Sequence, residues 1–409
     1  MITAEPIANH EGSLSLLAQA VAILLVSAVI VGCTPKEQST EPKHSSTELI
    51  TVPAEALQKA TSNSWYQAAQ STTGAEERLL ILQTAVQQLL QTPSDATLAE
   101  ARIQWQQSHD ALLQLQPLFT LGNINPGLFQ QLQQSHWQLD AWPIEPGYLD
   151  YFDVYTHSGI VNDIALPINA QAIRQQHGFS SDADVALGMH AMAYLLWGED
   201  QQRPASDFLS RPANASERKN GLEASDLPAQ RRSALLSLQT ALLQDDLKSL
   251  SYRLHHNASG INVSYFSLPP QSQLQLWQGV LEDILTRQIQ TELTAQLKSL
   301  KEKSGQNTKL SQEPTSQTHQ QFADRPLSTI STLVSAIEPL VMPNAGQASH
   351  ESLAYWLNPE LDLQQLQLQF KQISDSVTAW QNTSEPTLEQ AEQLDQQLQA
   401  LTLALIPAR

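Results

Sequence analysis

Apolar residues recur at intervals of three and four along most of this chain, and no segment alternates apolar and polar residues as a half-buried strand does. Two runs in the second half show the spacing most clearly: Leu274, Trp277, Leu281, Ile284, Leu285, Leu293, Leu297 and Leu300, then Leu363, Leu366, Phe370, Ile373, Val377 and Trp380. Residues with this spacing share one face of a helix, and that face is buried by packing against other helices. The sequence therefore predicts an all-α fold.

The size of the chain favours two packed helical bundles. About 340 ordered residues are more than one domain usually holds, and 41% hydrophobic residues with 8 Trp supply enough apolar surface for a core. We expect the first bundle over residues 63–258 and the second over residues 259–409, with a disordered loop near residues 301–318. Helices are predicted at about 74–91, 95–116, 159–176, 182–197, onward from Pro228, 274–300, 326–341, 348–357, 363–380 and 388–405.

The first 33 residues have the pattern of a lipoprotein signal peptide. Residues 14–31 are almost entirely apolar, and small residues then lead into Cys33, the one cysteine in the sequence. A lone exported thiol forms no intramolecular disulfide, and lipidation of Cys33 accounts for it. A membrane helix that is never cleaved is the alternative, because roughly 18 apolar residues can just span a bilayer. Residues 1–13 depart from the usual signal pattern, since they contain no Lys or Arg.

The residues after Cys33 predict how the protein is held in the cell envelope. Residues 34–62 are rich in Ser, Thr, Glu and Pro without periodicity, which is typical of a flexible tether. Thr34 rather than Asp follows the cysteine, so in a Gram-negative cell we expect an outer-membrane lipid anchor facing the periplasm. A net charge of −19 and the lack of a basic patch argue against a nucleic-acid partner.

The most informative motif is the segment 188–208, GMHAMAYLLWGEDQQRPASDF. It contains a predicted helix with one histidine, His190, a glycine stop at Gly198 and a charged loop. Together with residues 140–150, DAWPIEPGYLD, it resembles the imelysin family, as does the Pro-x4-Leu-x2-Ala-Arg-x2-Trp pattern of residues 93–105. The resemblance covers mainly residues 80–250. It implies two helical bundles in a metal-associated lipoprotein or periplasmic protein linked to iron uptake.

The family pattern Gly-x-His-x-x-Glu lacks its glutamate in this chain, which has Ala193 at that position. A His and a Glu three residues apart share one helix face and can bind one ion together. His190 alone offers a single ligand, suited to iron, zinc or copper. Any metal would need further donors, such as Asp140, Asp150, Glu199, Asp200 or a residue of the second bundle. The alternative is that His190 is a buried histidine satisfied by hydrogen bonds.

The resemblance also implies that other motif residues border the family's cleft. These are Asp140, Trp142, Pro143, Asp150, Gly188, Tyr194, Trp197, Gly198, Asp200, Arg203 and Asp207. Core packing is the alternative for the two aromatic residues of the helix, Tyr194 and Trp197. For Arg203, a pairing with Asp207 or Asp200 that shapes the loop is favoured over contact with a ligand.

Three functional hypotheses follow. We favour a non-enzymatic envelope lipoprotein that binds a metal or small ligand near His190 and assists iron uptake, with components of iron transport as its expected partners. The second hypothesis is a metallopeptidase, the activity that gave the family its name. The third is an adaptor lipoprotein that binds a protein partner. The sequence has no zinc-protease His-Glu-x-x-His and no Gly-x-Ser-x-Gly, so no catalytic residue is predicted.

Overall fold

A computed structural model describes residues 54–303, 319, 325, 327–384 and 386–407. In that part of the chain the regular structure is helical apart from one isolated β-bridge, so the all-α prediction is confirmed. The α-helices there are α1 (Ala54–Gln91), α2 (Asp95–Leu113), α3 (Gln116–Ile124), α4 (Pro126–Asp140), α5 (Pro146–Leu149), α6 (Ala170–Gln176), α7 (Gly188–Trp197), α8 (Ala215–Lys219), α9 (Pro228–His255), α10 (Gly260–Phe266), α11 (Pro270–Asp283), α12 (Ile289–Lys303), α13 (Ser328–Val341), α14 (Leu353–Leu357), α15 (Leu363–Gln381) and α16 (Leu388–Leu405). None of the described helices is long and apolar enough to cross a bilayer. The predicted signal peptide, Cys33 and most of the predicted tether lie outside the described residues.

Helix α1 begins earlier than the sequence pattern indicated. Residues 54–62, predicted to belong to the tether, form its first turns because they already carry a buried stripe at helical spacing. That stripe consists of the large apolar Leu57 and Trp65 and the small or polar Ala60, Thr61 and Ser64. Helix α1 packs against α2 and α9, and also against α11 and α13. The part of the chain that the structure describes clusters into one compact unit, and the division into bundles at residue 258 stays a prediction.

Helices α2 to α4 carry two of the side chains that form the site. Helix α2 starts at a capping box, in which Ser94 and Thr97 each accept a hydrogen bond from the other's backbone N–H. Its buried face comprises Leu98, Ala101, Trp105, Ser108, His109, Leu112 and Leu113. Helix α3 packs against α4, which is kinked at Phe129 and ends at Asp140. His109 thus reaches the site from the second half of α2, and Asp140 reaches it from the C-terminal end of α4.

The helix predicted over residues 159–176 is wrong for residues 159–169. Helix α6 begins only at Ala170, after Asn169 accepts a hydrogen bond from the N–H of Ala172 as an N-cap. In the preceding segment, four carbonyl groups accept hydrogen bonds from the buried Arg231 guanidinium: those of Ile160, Val161, Asp163 and Leu166. A distant side chain thus takes the place of helical amides, which spacing along the sequence cannot indicate.

Helix α7 is shorter than the predicted 182–197 because it starts at Gly188. This glycine has φ +85°, and a Cβ added there would lie 2.6 Å from the carbonyl oxygen of Leu139. Only glycine permits this approach of α7 to the end of α4. The helix ends at Gly198 with φ +73°, which confirms the predicted stop.

The long amphipathic helix predicted from Leu274 is interrupted. Helices α11 and α12 are joined by a π-helical turn, Ile284–Gln288. Because α12 continues to Lys303, the first three residues of the predicted 301–318 loop are helical, and residues 304–318 lie outside the described part. Helices α13, α15 and α16 lie close to their predicted bounds; α15 packs on both α13 and α16, and α16 packs on α12.

Candidate metal site

Three histidines and one aspartate converge in the interior. Asp140 Oδ1 lies 3.1 Å from His109 Nε2 and 3.3 Å from His190 Nε2. Asp140 Oδ2 lies 3.4 Å from His319 Nε2, and the Nε2 atoms of His190 and His319 are 3.3 Å apart. One ligand-type atom from each of the four residues lies within 4.8 Å of the others. His109, Asp140 and His190 are buried, and His319 is partly exposed.

The tryptophan one turn before His109 on α2 helps to hold that histidine in place. The two rings stack with centroids 4.8 Å apart. The Trp105 indole N–H also donates a 2.8 Å hydrogen bond to the carbonyl of Met189, the residue before His190. This bond fixes α2 against the first turn of α7. The glycine contact between Gly188 and Leu139 then sets that same turn beside Asp140.

His319 reaches the cluster from a different part of the chain. Its backbone N–H donates a 2.8 Å hydrogen bond to Oε1 of Glu292, which is buried on α12. Its ring stacks on His109 at 5.2 Å and lies perpendicular to His190 at 4.5 Å. Glu292 therefore positions His319 through the backbone of that histidine.

Two residues of the cluster, Asp140 and His190, have the protonation states that metal binding needs. Burial opposes a charge on Asp140, but the imidazoles of His109, His319 and His190 outweigh it and hold the pKa of Asp140 well below its usual value. Burial lowers the pKa of His190 to about 3. Burial also acts to lower the pKa of His319, but the charge of Asp140 overcomes this and raises it. At neutral pH Asp140 is ionised and His190 is neutral, as metal ligands must be.

The donor set fits a divalent transition metal. Around a tetrahedral ion with bonds of about 2.0–2.1 Å, donor atoms lie about 3.3–3.4 Å apart, close to the 3.1–3.4 Å separations found here. Asp140 Oδ2 is buried without a hydrogen bond, because its 3.4 Å contact with His319 is an ion pair that lacks hydrogen-bond geometry. An ion would satisfy that oxygen. Three imidazoles and a carboxylate suit iron, zinc or copper.

The comparisons with known proteins identify the family. The imelysin family profile matches residues 66–407, most of the chain. This chain belongs to the imelysin family. The match extends well past residues 80–250, which carried the resemblance in the sequence. No curated protein matches the chain.

Solved structures share the imelysin-like helical fold. A protein described as an iron-regulated protein A precursor, from Parabacteroides distasonis ATCC 8503, aligns with a TM-score of 0.55 and 14% identity over 88% of this chain and 95% of that one. An imelysin-like protein from Psychrobacter arcticum 273-4 aligns with a TM-score of 0.52 and 14% identity, over 86% of this chain and 94% of that one. At such low identity the alignments show the fold alone.

The glutamate of the imelysin motif is absent here, and another helix supplies the carboxylate of the cluster. Ala193 is buried on α7, three residues after His190. Asp140, at the end of α4, is the carboxylate that faces the three imidazoles. The ring of Trp142 lies 4.7 Å from that of His190 and forms a wall of the site.

A cavity of about 240 Å³ adjoins the cluster on the side of Asp140 and His319. The cavity is lined by residues of α2, α3, α4, the π-helical turn, α12 and α13, together with Trp142 and His319. The lining residues are Leu113, Gln116, Asn123, His136, Asp140, Trp142, Arg287, Gln288, Thr291, Glu292, His319, Thr329 and Leu333.

A second group of predicted residues forms a buried ionic cluster. The Arg232 guanidinium donates two hydrogen bonds to Asp150, of 2.6 and 3.0 Å, and Arg203 lies 2.9 Å from the same carboxylate. Arg203 also pairs with Asp207 at 2.8 Å, which accepts a further hydrogen bond from the Tyr151 hydroxyl. The pairing of Arg203 with Asp207 agrees with the favoured interpretation of the loop. Asp150 is committed to two arginines and is not among the converging ligands.

The remaining predicted residues are not among the converging ligands. The Tyr194 hydroxyl donates to the carbonyl of Tyr151 in the interior, and Trp197 packs edge-on against Trp105. Pro143 and Asp200 are exposed, and Asp200 accepts a hydrogen bond from the N–H of Gln202. Gly188 and Gly198 set the two ends of α7.

The sequence pattern missed two of the converging ligands, His109 and His319, and also Glu292, which positions His319. His109 lies four residues after Trp105 on an otherwise ordinary buried face, so a polar residue on that face was the available signal. Glu292 lies between the buried Ile289 and Leu293 of α12, where a buried acid is equally out of pattern. His319 lies next to a polar segment without periodicity, and nothing in its surroundings indicates a ligand.

Proposed function

We propose that this protein is a non-enzymatic, metal-binding lipoprotein of the cell envelope that serves iron uptake. His109, Asp140, His190 and His319 would hold the ion. One observation carries the proposal: three imidazole nitrogens lie within 3.4 Å of a single buried, ionised carboxylate. When bound, a divalent metal would add positive charge to this interior and satisfy Oδ2 of Asp140.

The family and the fold support a role connected with iron. The structural neighbour from Parabacteroides distasonis is described as an iron-regulated protein A precursor, and the two chains share a fold over most of their lengths. The His₃Asp donor set also accepts ferrous iron. Zinc and copper bind such donors too, so the affinity order among the three metals is part of the test.

Metal titration of the purified full chain in detergent tests the proposal. We expect iron, zinc and copper to bind one ion per chain with micromolar or tighter affinity, measured by competition with a chromogenic chelator. His190→Ala should weaken binding by about a hundredfold or more, since it removes a direct ligand. His157→Ala removes an exposed histidine outside the cluster and is the matched control. Equal affinities for the two variants would disprove the site.

The envelope location rests on the sequence pattern around Cys33. We expect the purified protein to begin at a lipid-modified Cys33, which intact-mass spectrometry of membrane fractions detects. Cys33→Ser should abolish both the added mass and the cleavage. A wild-type chain that retains residues 1–32 and lacks the lipid would disprove the anchor.

The same preparations separate this proposal from its two alternatives. We expect no cleavage of unfolded casein that a chelator blocks and that His190→Ala abolishes; such cleavage would establish a metallopeptidase. A protein that remains bound through purification while one-to-one metal binding is absent would establish the adaptor hypothesis.

A further inference from the structure

The cavity beside the metal site contains oxygen atoms that lack hydrogen-bond partners. Glu292, Gln116 and Thr329 line it and are only 5%, 7% and 4% exposed. Glu292 Oε2, Gln116 Oε1 and Thr329 Oγ1 each have no hydrogen bond to the protein. Buried polar atoms are normally paired, so three such atoms around one cavity indicate a site built for a ligand.

The π-helical turn is an independent indication of a ligand site. Arg287 and Gln288 belong to the turn Ile284–Gln288 and line the cavity, and Glu292 follows within one further turn. A π turn is rare inside a helix and frequently occurs at functional sites. Here it interrupts the helix where that helix forms the wall of the cavity.

The positive groups among the described lining residues are already paired with carboxylates, which disfavours an anionic ligand. His319 lies 3.4 Å from Oδ2 of Asp140. The Arg287 guanidinium is held by two 2.6 Å hydrogen bonds to Asp283, outside the lining. Burial lowers the pKa of His136 to about 4, so its ring is neutral at neutral pH. The amide of Gln288 donates to Thr120 and Asp283. The unpaired atoms of the lining are therefore oxygen acceptors, and a ligand that fits them must supply hydrogen-bond donors next to the carboxylate of Glu292.

We propose that this cavity binds a small organic ammonium ion. Its N–H groups would donate to Glu292, Gln116 and Thr329, and its alkyl part would pack against Trp142, an aromatic wall of the kind that also attracts cations. A volume of about 240 Å³ suits a small ligand, since drug-sized pockets are roughly 300 to 1,000 Å³. The inference deepens the proposed function by naming a second ligand beside the metal.

Calorimetric titration of the full chain in detergent, stripped of metal, tests this inference. The probes are n-butylamine, which is protonated at pH 7, and its neutral and anionic analogues n-butanol and butyrate. We expect butylamine to bind at least about tenfold more tightly than either analogue, because only it pairs with Glu292. Equal binding of butylamine and butanol would overturn the inference.

Two variants separate this site from the metal site. Glu292→Gln keeps an oxygen that can accept the His319 N–H but removes the charge, so butylamine binding should fall by about tenfold or more. Thr329→Val removes one acceptor away from the metal ligands and should weaken butylamine by about threefold to tenfold while zinc affinity is retained. The control is Glu302→Gln, an exposed acid on the same helix. Unchanged butylamine binding in Glu292→Gln would overturn the ammonium site.

The two proposals can fail separately. Zinc binding without butylamine binding removes the ammonium site and leaves the metal site. Butylamine binding without zinc binding removes the metal function and leaves this cavity as the ligand site. In zinc-loaded protein we expect weaker butylamine binding, because the bound ion repels a second cation, and tighter binding there would contradict the assignment of a cationic ligand.

Discussion

Asp140 and Asp150 are both buried aspartates of one short segment, and their partners differ in kind. Asp150 is paired with the guanidinium groups of Arg203 and Arg232. Asp140 is surrounded by three imidazoles. A guanidinium has no lone pair to give to a metal, whereas a neutral imidazole does. The Asp150 cluster can therefore only hold the fold together, and the Asp140 cluster can exchange its protons for an ion.

The two clusters also differ in what they leave unpaired. At the Asp140 cluster, Asp140 Oδ2 and the Nδ1 atoms of His109 and His319 are buried without hydrogen bonds. At Asp150, both carboxylate oxygens accept from Arg232, and the buried atoms without hydrogen bonds are donors, Nε and Nη2 of Arg203. Burial of a carboxylate therefore does not mark a binding site by itself. The two clusters are distinguished by the chemistry of the side chains around the carboxylate and by whether a carboxylate oxygen lacks a hydrogen bond.

The largest loss of stability should come from breaking the pair between Arg232 and Asp150. Arg232→Leu leaves Asp150 short of its closest cation in a buried setting, and we expect it to lower the free energy of unfolding by about 3–5 kcal/mol. Urea denaturation followed by circular dichroism measures this. Arg211→Leu, which breaks the exposed pair with Glu217, is the control and should change stability little. Equal losses in the two variants would remove the distinction drawn for Asp150.

Metal should stabilise the protein through the other cluster. Zinc at a hundred times its dissociation constant should raise the free energy of unfolding by about 2.7 kcal/mol, since the folded chain alone assembles the donors. Denaturation of the metal-free and zinc-loaded full chain measures the difference. His190→Ala should show almost none of this gain and His157→Ala all of it. A gain that survives in His190→Ala would place the ion elsewhere.

Glu292 should act on the metal through His319. Glu292→Ala removes the acceptor of the His319 N–H, and we expect metal affinity to fall by about tenfold. Glu292→Gln should restore it, because the amide oxygen accepts the same bond. Adding Glu292→Ala to His319→Ala should cause no further loss in a chelator-competition titration. Additive losses would mean that Glu292 acts on the ion independently.

The smallest effect should come from the partly exposed edge of the arginine cluster. Asp207→Asn weakens the pair with Arg203 but keeps an acceptor for Tyr151, so we expect a loss of about 1 kcal/mol in unfolding free energy. Zinc affinity should stay within twofold of wild type. A larger change in zinc affinity would show that the two clusters are coupled.

The fold was largely predictable because helical periodicity depends on residues close together in sequence. Helices α9, α15 and α16 lie near their predicted bounds, and Gly198 ends α7 as expected. The helix predicted over residues 159–169 is wrong for the opposite reason. Carbonyl groups of that segment accept hydrogen bonds from Arg231, about seventy residues away in the sequence.

The site was predictable only where a motif marked it. His190 and Asp140 were named from the family resemblance, but the pattern did not distinguish Asp140 from Asp150. His109 and His319 contribute through contacts between segments far apart in sequence, which no local spacing encodes. A buried polar residue on an apolar face, as at His109 and Glu292, is the one local sign that could have singled them out.

The order of the four donors along the chain has a consequence for when an ion can be captured. His109 and Asp140 are 31 positions apart, and His190 and His319 are 129 apart. A nascent or unfolded polypeptide therefore presents no local chelating pair, and α7 alone offers a single nitrogen. The four donors can bind the ion together only after residue 319 has been synthesised and the helices have packed. A chain that crosses a membrane before it folds would acquire its ion from the compartment where it finishes folding.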